Sequence, residues 1–238
     1  MIQRLGFLLL ALLAVSACNG DKTATAATAP TATPPAAVKA TPTAVTPVRD
    51  WQLGADYFLI DPRIPTSTGD KIEVVEVFSY ACPHCAHFQP MMDELKAKLP
   101  ANAQIVLLPA VFNPQWEPFA RAYYTAHSLG VVDKTHAALF EALHSQHQSL
   151  FTIDALAGFY ANYGVDAKSF VSTANSFIVD SQIANGNRLV ASYGVGSTPS
   201  LVINGKYRIE MNNERNIGPQ DVVDIALMLV KQEAAAKK

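Results

Sequence analysis

Hydrophobic and polar positions divide the chain into three stretches of different character. An apolar run covers residues 5–15, and a tract in which 22 of 30 residues are Ala, Thr or Pro covers residues 19–48. Periodic hydrophobic patterning begins only near Trp51. Because a segment without apolar periodicity cannot bury enough surface to offset its chain entropy, the folded part is expected to begin near Trp51.

Two cysteines lie where one predicted element ends and the next begins. Residues 71–80 are rich in β-branched and aromatic side chains, which predicts a buried central strand. After them, apolar residues recur every three or four positions, which predicts a helix. These positions are Cys85, Phe88, Met92, Leu95 and Leu99. Cys82 and Cys85 are therefore predicted at the start of a helix that follows a strand.

A helical block is predicted in the middle of the folded part. Residues 104–108, which are apolar after Gln104, predict a second strand. Residues from about 116 to 192 then carry apolar groups at helical spacing, with short interruptions at Gly130 and residues 164–166. One of the predicted helical segments runs unbroken over residues 167–193.

A hairpin and a final helix are predicted at the C-terminal end. Residues 201–203 and 206–209 flank Asn204-Gly205, which is a strong hairpin turn signal. The apolar spacing over residues 219–233 predicts the last helix.

The N-terminus has the features of an export signal. Its first four residues carry one positive charge, and the apolar run that follows is shorter than the roughly 20 residues needed to span a bilayer. Residues 1–17 are therefore predicted to be a signal peptide.

Ser16-Ala17-Cys18 resembles the lipobox of bacterial lipoproteins, which implies cleavage before Cys18 and a diacylglycerol on its sulfur. Residues 18–50 would then be the lipid attachment and a disordered Ala/Thr/Pro linker; an ordinary signal peptide followed by an unmodified cysteine is the alternative.

Charge and cysteine content narrow the chemistry. The formal net charge of -2 gives no basic bias, so nucleic-acid binding is not indicated.

If Cys18 carries lipid, only Cys82 and Cys85 remain of the three cysteines. Their short ring restricts the unfolded chain little, so redox chemistry is favoured over a structural disulfide. A metal site would need further ligands, and no second cysteine pair exists. The histidines that could complete a metal site are His87, His127, His136, His144 and His147. If they bind no metal, the last four are expected to lie on solvated helices.

The tetrapeptide Cys82-Pro83-His84-Cys85 has the residues that a reactive thiol requires. Backbone N–H groups and the positive end of the helix dipole stabilise a thiolate at Cys82. Pro83 suits the first helical position, and His84 adds a hydrogen-bond donor or a positive charge near the sulfur. Cys85 is expected to be more buried and to resolve mixed disulfides. A stabilised thiolate favours the reduced form, which makes the disulfide a stronger oxidant.

The stretch from Glu76 to Cys85, EVFSYACPHC in one-letter code, resembles the active-site strand and helix of the DsbA family, bacterial dithiol oxidases of the thioredoxin superfamily. The resemblance implies an α/β protein with a thioredoxin fold and an inserted helical domain. The thioredoxin-like domain would cover residues 51–115 and 194–238, and the helical domain would cover residues 116–193.

The resemblance also implies site residues beyond the tetrapeptide. Glu76 would lie under the active site and assist proton transfer. Pro199 would be the cis-proline that faces the cysteines, and the backbone of Thr198 would pair with a client peptide as an added strand. Two positions depart from the family pattern. Threonine before the cis-proline, where DsbA oxidases often have valine, is common in related isomerases and some oxidases. The strand 104–108 lacks the lysine that lies near the buried acid in the best-known member.

These expectations combine into a functional hypothesis. The protein is expected to be an exported thiol–disulfide oxidoreductase that introduces disulfides into reduced client polypeptides and needs no bound cofactor or metal. The resemblance implies reoxidation by a DsbB-like membrane quinone reductase. A monomer in the periplasm, tethered to a membrane through Cys18, is expected. The alternatives are a periplasmic disulfide isomerase or reductase, which Thr198 favours, and a lipid-tethered metal chaperone.

Overall fold

The computed structural model describes residues 49–236. The predicted signal peptide, the predicted lipid-carrying Cys18 and nearly all of the predicted linker lie outside the described residues. Within the described part, no helix is both long enough and apolar enough to cross a membrane. The elements are β1 (Phe58–Leu59), β2 (Ile72–Phe78), α1 (Pro83–Lys98), β3 (Ala103–Pro109), a 3-10 turn (Pro114–Trp116), α2 (Glu117–Ser128), α3 (Val132–Phe140), a π-turn (Glu141–Ser145), α4 (Ile153–Ala161), α5 (Ala167–Ala174), α6 (Phe177–Ser192), β4 (Ser200–Ile203), β5 (Tyr207–Glu210) and α7 (Pro219–Ala236).

The strands form one mixed sheet with the order β1-β5-β4-β2-β3. β2 lies parallel to β3 and antiparallel to β4, and β5 pairs antiparallel with both β4 and β1. Every residue of β2 is buried, as predicted for a central strand. A strand buried on both faces needs helices on both sides, which is the arrangement that a parallel pair usually has.

Two apolar clusters cover the two faces of the sheet. On one face, Val74 of β2 packs with Phe88 of α1 and Val223 of α7. On the other face, Val75 packs with Val190 of α6. Successive side chains of a strand point to opposite faces, so the neighbouring valines of β2 serve different clusters.

A third cluster joins the helical region to the end of β2. Helices α2 to α6 lie between β3 and β4 in the chain, as predicted. Buried side chains of α2 to α5 pack with Phe78, Tyr80, Cys82 and Cys85. The turn that carries the cysteines therefore rests on the helical region.

The hairpin prediction is confirmed. Asn204 and Gly205 both have positive φ, 56° and 63°, and join β4 to β5. A Cβ on Gly205 would overlap the carbonyl oxygen of Ile64, so both space and backbone conformation require glycine there. Ile64 follows a cis Asp61–Pro62 bond that the sequence analysis did not predict.

Two features of the helical region differ from the prediction. Residues 167–193 form two helices because Ser176 caps a new one, its hydroxyl accepting the Val179 N–H at 3.4 Å. The prediction of solvated positions is wrong for His136 and His144, which are half-buried and hydrogen-bonded to Tyr80.

Candidate active site

Cys82 and Cys85 lie at the start of α1, as the spacing predicts. Cys82 is the N-cap and Pro83 takes the first helical position. The Cys82 N–H donates to the Ser79 carbonyl at 3.0 Å, and the Cys85 N–H donates to the Cys82 carbonyl at 3.1 Å. Both residues are free thiols. Cys82 is 5% exposed and Cys85 is fully buried, so any reagent reaches Cys82 first.

The two thiols have opposite electrostatic environments. A hydrogen bond from the Cys85 thiol, the nearby Thr198 hydroxyl and the backbone N–H groups of Cys85 and His84 together overcome burial and lower the pKa of Cys82 to about 5. Burial and the adjacent Cys82 sulfur raise the pKa of Cys85 far above its usual range. At neutral pH the reduced site therefore holds a thiolate at Cys82 and a thiol at Cys85.

His84 contributes through its backbone. The N–H of His84 is among the groups that lower the pKa of Cys82, and its side chain is exposed at the helix start. The helix terminus, where unpaired N–H groups are found, thus adds to the stabilisation that the Cys85 thiol and the Thr198 hydroxyl provide.

The loop before β4 forms the opposite wall of the site. The Thr198–Pro199 peptide bond is cis, as the resemblance implied. In its thiol form Cys82 donates through Sγ to the Thr198 carbonyl at 3.4 Å. Thr198 Oγ1 is buried and has no hydrogen-bond partner of good geometry within residues 49–236, but it lies near both sulfurs and lowers the pKa of each.

Glu76 is buried in the middle of β2 and is 1% exposed. Burial is the main cause that raises its pKa to about 8, and the charge of Asp93 adds to it. Its carboxylate accepts a weak hydrogen bond from Gln89 at 3.5 Å, and none of the groups that act on its pKa is basic. Among the described residues, no cation thus takes the place of the missing lysine of strand β3 in shifting this pKa. No hydrogen bond joins Glu76 to either sulfur among the described residues.

A cavity of about 590 Å³ lies beside Glu76, between α1, β3 and α3. Its polar lining includes Gln89, Asp93, Lys96 and His136. These polar side chains therefore lie near the Glu76 carboxyl, on the side where β3 forms the edge of the sheet.

Sequence analysis missed one part of the site, the contacts of Tyr80 with His136 and His144. These histidines are eight positions apart, which leaves them about 80° apart around an ordinary α-helix, so their spacing did not predict a contact with one residue. Within residues 49–236, no group of three or more His, Cys, Asp or Glu side chains could hold a metal ion. His136 and His144 contact the active-site turn through Tyr80.

Comparison with known proteins places this geometry in a family. The model of the DSBA-like thioredoxin domain matches residues 73–218, which include both cysteines, Glu76 and the cis-proline. The chain belongs to the DsbA family. It is 39% identical over 189 residues to the thiol:disulfide interchange protein DsbA of Pseudomonas aeruginosa, covering 79% of this chain and 89% of that protein. The DsbA of Azotobacter vinelandii is 34% identical over 188 residues, covering 79% of this chain and 87% of its own.

Solved structures agree with this assignment. The crystal structure of Pseudomonas aeruginosa DsbA matches with a TM-score of 0.72 at 39% identity, covering 79% of this chain and 97% of that one. The DsbA of Xylella fastidiosa matches with a TM-score of 0.71 at 37% identity, covering 76% and 96%. The predicted thioredoxin fold is confirmed, and the protein is a thiol:disulfide oxidoreductase of the DsbA type.

Proposed function

We propose that this protein works as a dithiol oxidase, with Cys82 as the attacked sulfur and Cys85 as its internal partner. A thiolate of a reduced client polypeptide attacks Cys82, the Cys82–Cys85 bond breaks, and Cys85 leaves and takes up a proton. The second client thiolate then attacks the client sulfur of the mixed disulfide, and Cys82 leaves as a thiolate. The client loses two electrons and the enzyme gains them.

The observation that carries the proposal is the low pKa of Cys82. A thiolate stabilised from the ordinary thiol pKa of 9.0 to about 5 favours the reduced enzyme by about 100-fold at pH 7. For a two-electron couple this corresponds to about 60 mV of added oxidising power. Because reduction of the enzyme is oxidation of the client, the site favours electron flow out of the client.

The other site residues have supporting roles in this proposal. Glu76 is uncharged at pH 7 because burial raises its pKa to about 8, so it holds a proton that the leaving Cys85 thiolate requires. The backbone of Thr198 lies against Cys82, where an extended client segment can pair with it, and Pro199 closes the far side.

The place of action follows from the N-terminal sequence. We propose a periplasmic protein with lipid on Cys18, reoxidised by a DsbB-like membrane quinone reductase. Labelled palmitate should be incorporated into the wild type and be absent from Cys18→Ser. A Cys18→Ser protein that still fractionates with membranes would contradict the anchor and leave the redox assignment untouched.

Isomerase or reductase activity is the second candidate, because Thr198 stands where related isomerases carry threonine. The reduction potential, measured by equilibration with glutathione, separates the two. The reduction potential is about -120 mV for DsbA and about -270 mV for thioredoxin. A value near that of thioredoxin would refute the oxidase assignment.

A further inference from the structure

Two histidines of the helical region hold one residue of the active-site turn from both ends. His136 Nδ1 lies 2.9 Å from the hydroxyl of Tyr80, and His144 Nε2 lies 2.7 Å from the Tyr80 carbonyl. Since a carbonyl only accepts, His144 is the donor in the second contact. We refer to this arrangement as the histidine clamp, which consists of His136, His144 and Tyr80.

The clamp is tightly packed. Tyr80 is fully buried, and its ring centroid lies 5.0 Å from that of Phe140 and 5.3 Å from that of His136. Phe78 adds an edge contact to His136 at 5.1 Å. Burial lowers the pKa of His136 to about 4, so its ring is neutral at pH 7 and can accept the Tyr80 O–H. A packed aromatic cage with two hydrogen bonds leaves Tyr80 little freedom to move.

The π-turn explains how both histidines reach the same residue. In an α-helix, two positions eight apart differ by about 80° around the axis. The π-turn Glu141–Ser145 accommodates one extra residue, so His136 and His144 are related as positions seven apart, close to two full turns. A local irregularity of the helix thus brings both rings to the face that packs on Tyr80.

Tyr80 belongs to a turn that contacts both cysteines. Ser79 and Ala81 flank it, and the Ser79 carbonyl accepts the Cys82 N–H at 3.0 Å. While burial raises the pKa of Cys85, the Ser79 backbone N–H acts in the opposite direction as a hydrogen-bond donor to its sulfur. The Ala81 N–H donates to the Ser79 hydroxyl at 3.2 Å, which closes the turn. A displacement of Tyr80 would therefore move the carbonyl that holds the Cys82 backbone N–H and the N–H that donates to the Cys85 sulfur.

We propose that His136 and His144 are positioning residues for the redox reaction: by holding Tyr80, they keep the turn of residues 79–81 in the arrangement that stabilises the reduced site. The helical region then contributes to the redox properties of cysteines that lie in the thioredoxin part. This inference deepens the proposed function and rests on it. The positioning role is tested by the difference in redox equilibrium between the variants and the wild type. The oxidase assignment is tested by the reduction potential of the wild type, so either proposal can fail without the other.

The test compares variants that each change one group of the clamp. His144→Leu removes the donor to the Tyr80 carbonyl, and His144→Gln keeps a donor at similar reach. Tyr80→Phe removes the hydroxyl that contacts His136 and also interacts with Tyr160. His127→Leu is the matched control, because His127 is an exposed histidine at the end of α2. For each protein the measurements are the equilibrium constant with glutathione and the pKa of Cys82 from the ultraviolet absorbance of the thiolate.

The expected result is a shift in His144→Leu and in Tyr80→Phe. In both, the pKa of Cys82 rises and the equilibrium with glutathione moves toward the oxidised enzyme by at least about tenfold, which is about 30 mV for a two-electron couple. His144→Gln should recover most of that change, and His127→Leu should match the wild type.

Denaturation of the oxidised and reduced forms separates positioning from ordinary packing. A purely structural histidine would lower the stability of both forms equally and leave the glutathione equilibrium unchanged, and that result in His144→Leu overturns the proposal. If His144→Leu does not fold, Tyr80→Phe decides the question, and an unchanged equilibrium constant there overturns the proposal too.

Discussion

Replacement of Glu76 by glutamine is expected to stabilise the protein at neutral pH. The side chain keeps its size, so the packing around it in β2 is preserved, but the group no longer titrates. In the native protein, burial and the charge of Asp93 raise the pKa of Glu76 from 4.5 to about 8. In the unfolded chain the carboxyl ionises freely, and this difference makes folding more costly as the pH rises.

The size of the effect follows from proton linkage. Between pH 4.5 and about 8 the folded state binds one more proton than the unfolded state, so stability falls with rising pH by up to about 1.4 kcal/mol per pH unit. At pH 7 the accumulated cost is about 3 kcal/mol, and above pH 8 it levels off near 5 kcal/mol. Below pH 4.5 both states are protonated and the cost disappears.

The assay is denaturant unfolding of wild type and Glu76→Gln across this pH range. The gain in stability of the variant should be near zero at pH 4.5 and grow to about 3 kcal/mol at pH 7. Glu73→Gln is the matched control. Glu73 is also buried on β2, but its carboxylate accepts hydrogen bonds from Ser67 N and Oγ at 2.7 and 2.6 Å, so the change should destabilise. A gain for Glu76→Gln that does not vary with pH would refute the reasoning.

Three further predictions concern the site wall, the surface network and the hairpin. Thr198→Val should raise the pKa of Cys82 and make the enzyme less oxidising, because the Thr198 hydroxyl follows the Cys85 thiol among the groups that lower this pKa; an unchanged thiolate absorbance titration would contradict it. Arg215→Ala should cost about 1 kcal/mol in denaturant unfolding, since it removes two hydrogen bonds from buried Asp56 but leaves the Gln52 N–H and the more distant Arg49. Burial acts to raise the pKa of Asp56, yet a backbone N–H and Arg215 hold it below its usual range, so the stabilisation is present above pH 3.8 and lost as the pH falls through the lower folded-state value. Gly205→Ala should lower the melting temperature strongly, because its positive φ and a nearby backbone carbonyl leave no room for a Cβ; a wild-type melting temperature would disprove this account.

Much of the fold could be predicted from the sequence because its signals are local. The buried strand β2, the cysteines at a helix start and the Asn204-Gly205 turn each depend on a few adjacent residues. Local preferences of this kind act before any tertiary contact forms, so a short window of sequence contains them. The break between α5 and α6 was missed although Ser176 marks it, because the hydrophobic repeat continued across the cap.

Other features depended on contacts between distant parts of the chain. The high pKa of Glu76 arises from its burial between β3 and β4, since its sequence neighbours alone left it open whether the side chain faced solvent. His136 and His144 contact Tyr80, which lies 56 and 64 residues earlier in the chain. Both contacts also depend on the π-turn, which changes the helical phase between the two histidines.

The sequence by itself determined the chemistry of this protein: two cysteines, a proline and a helix start are sufficient to specify a reactive thiol, because the N–H groups that stabilise a thiolate belong to the local backbone. Only the tertiary structure decided how that thiol is adjusted. Thr198 lies near both sulfurs and the Ser79 N–H donates to that of Cys85, and these distances, like the burial that shifts each pKa, exist only after the sheet and the helical region have packed against each other.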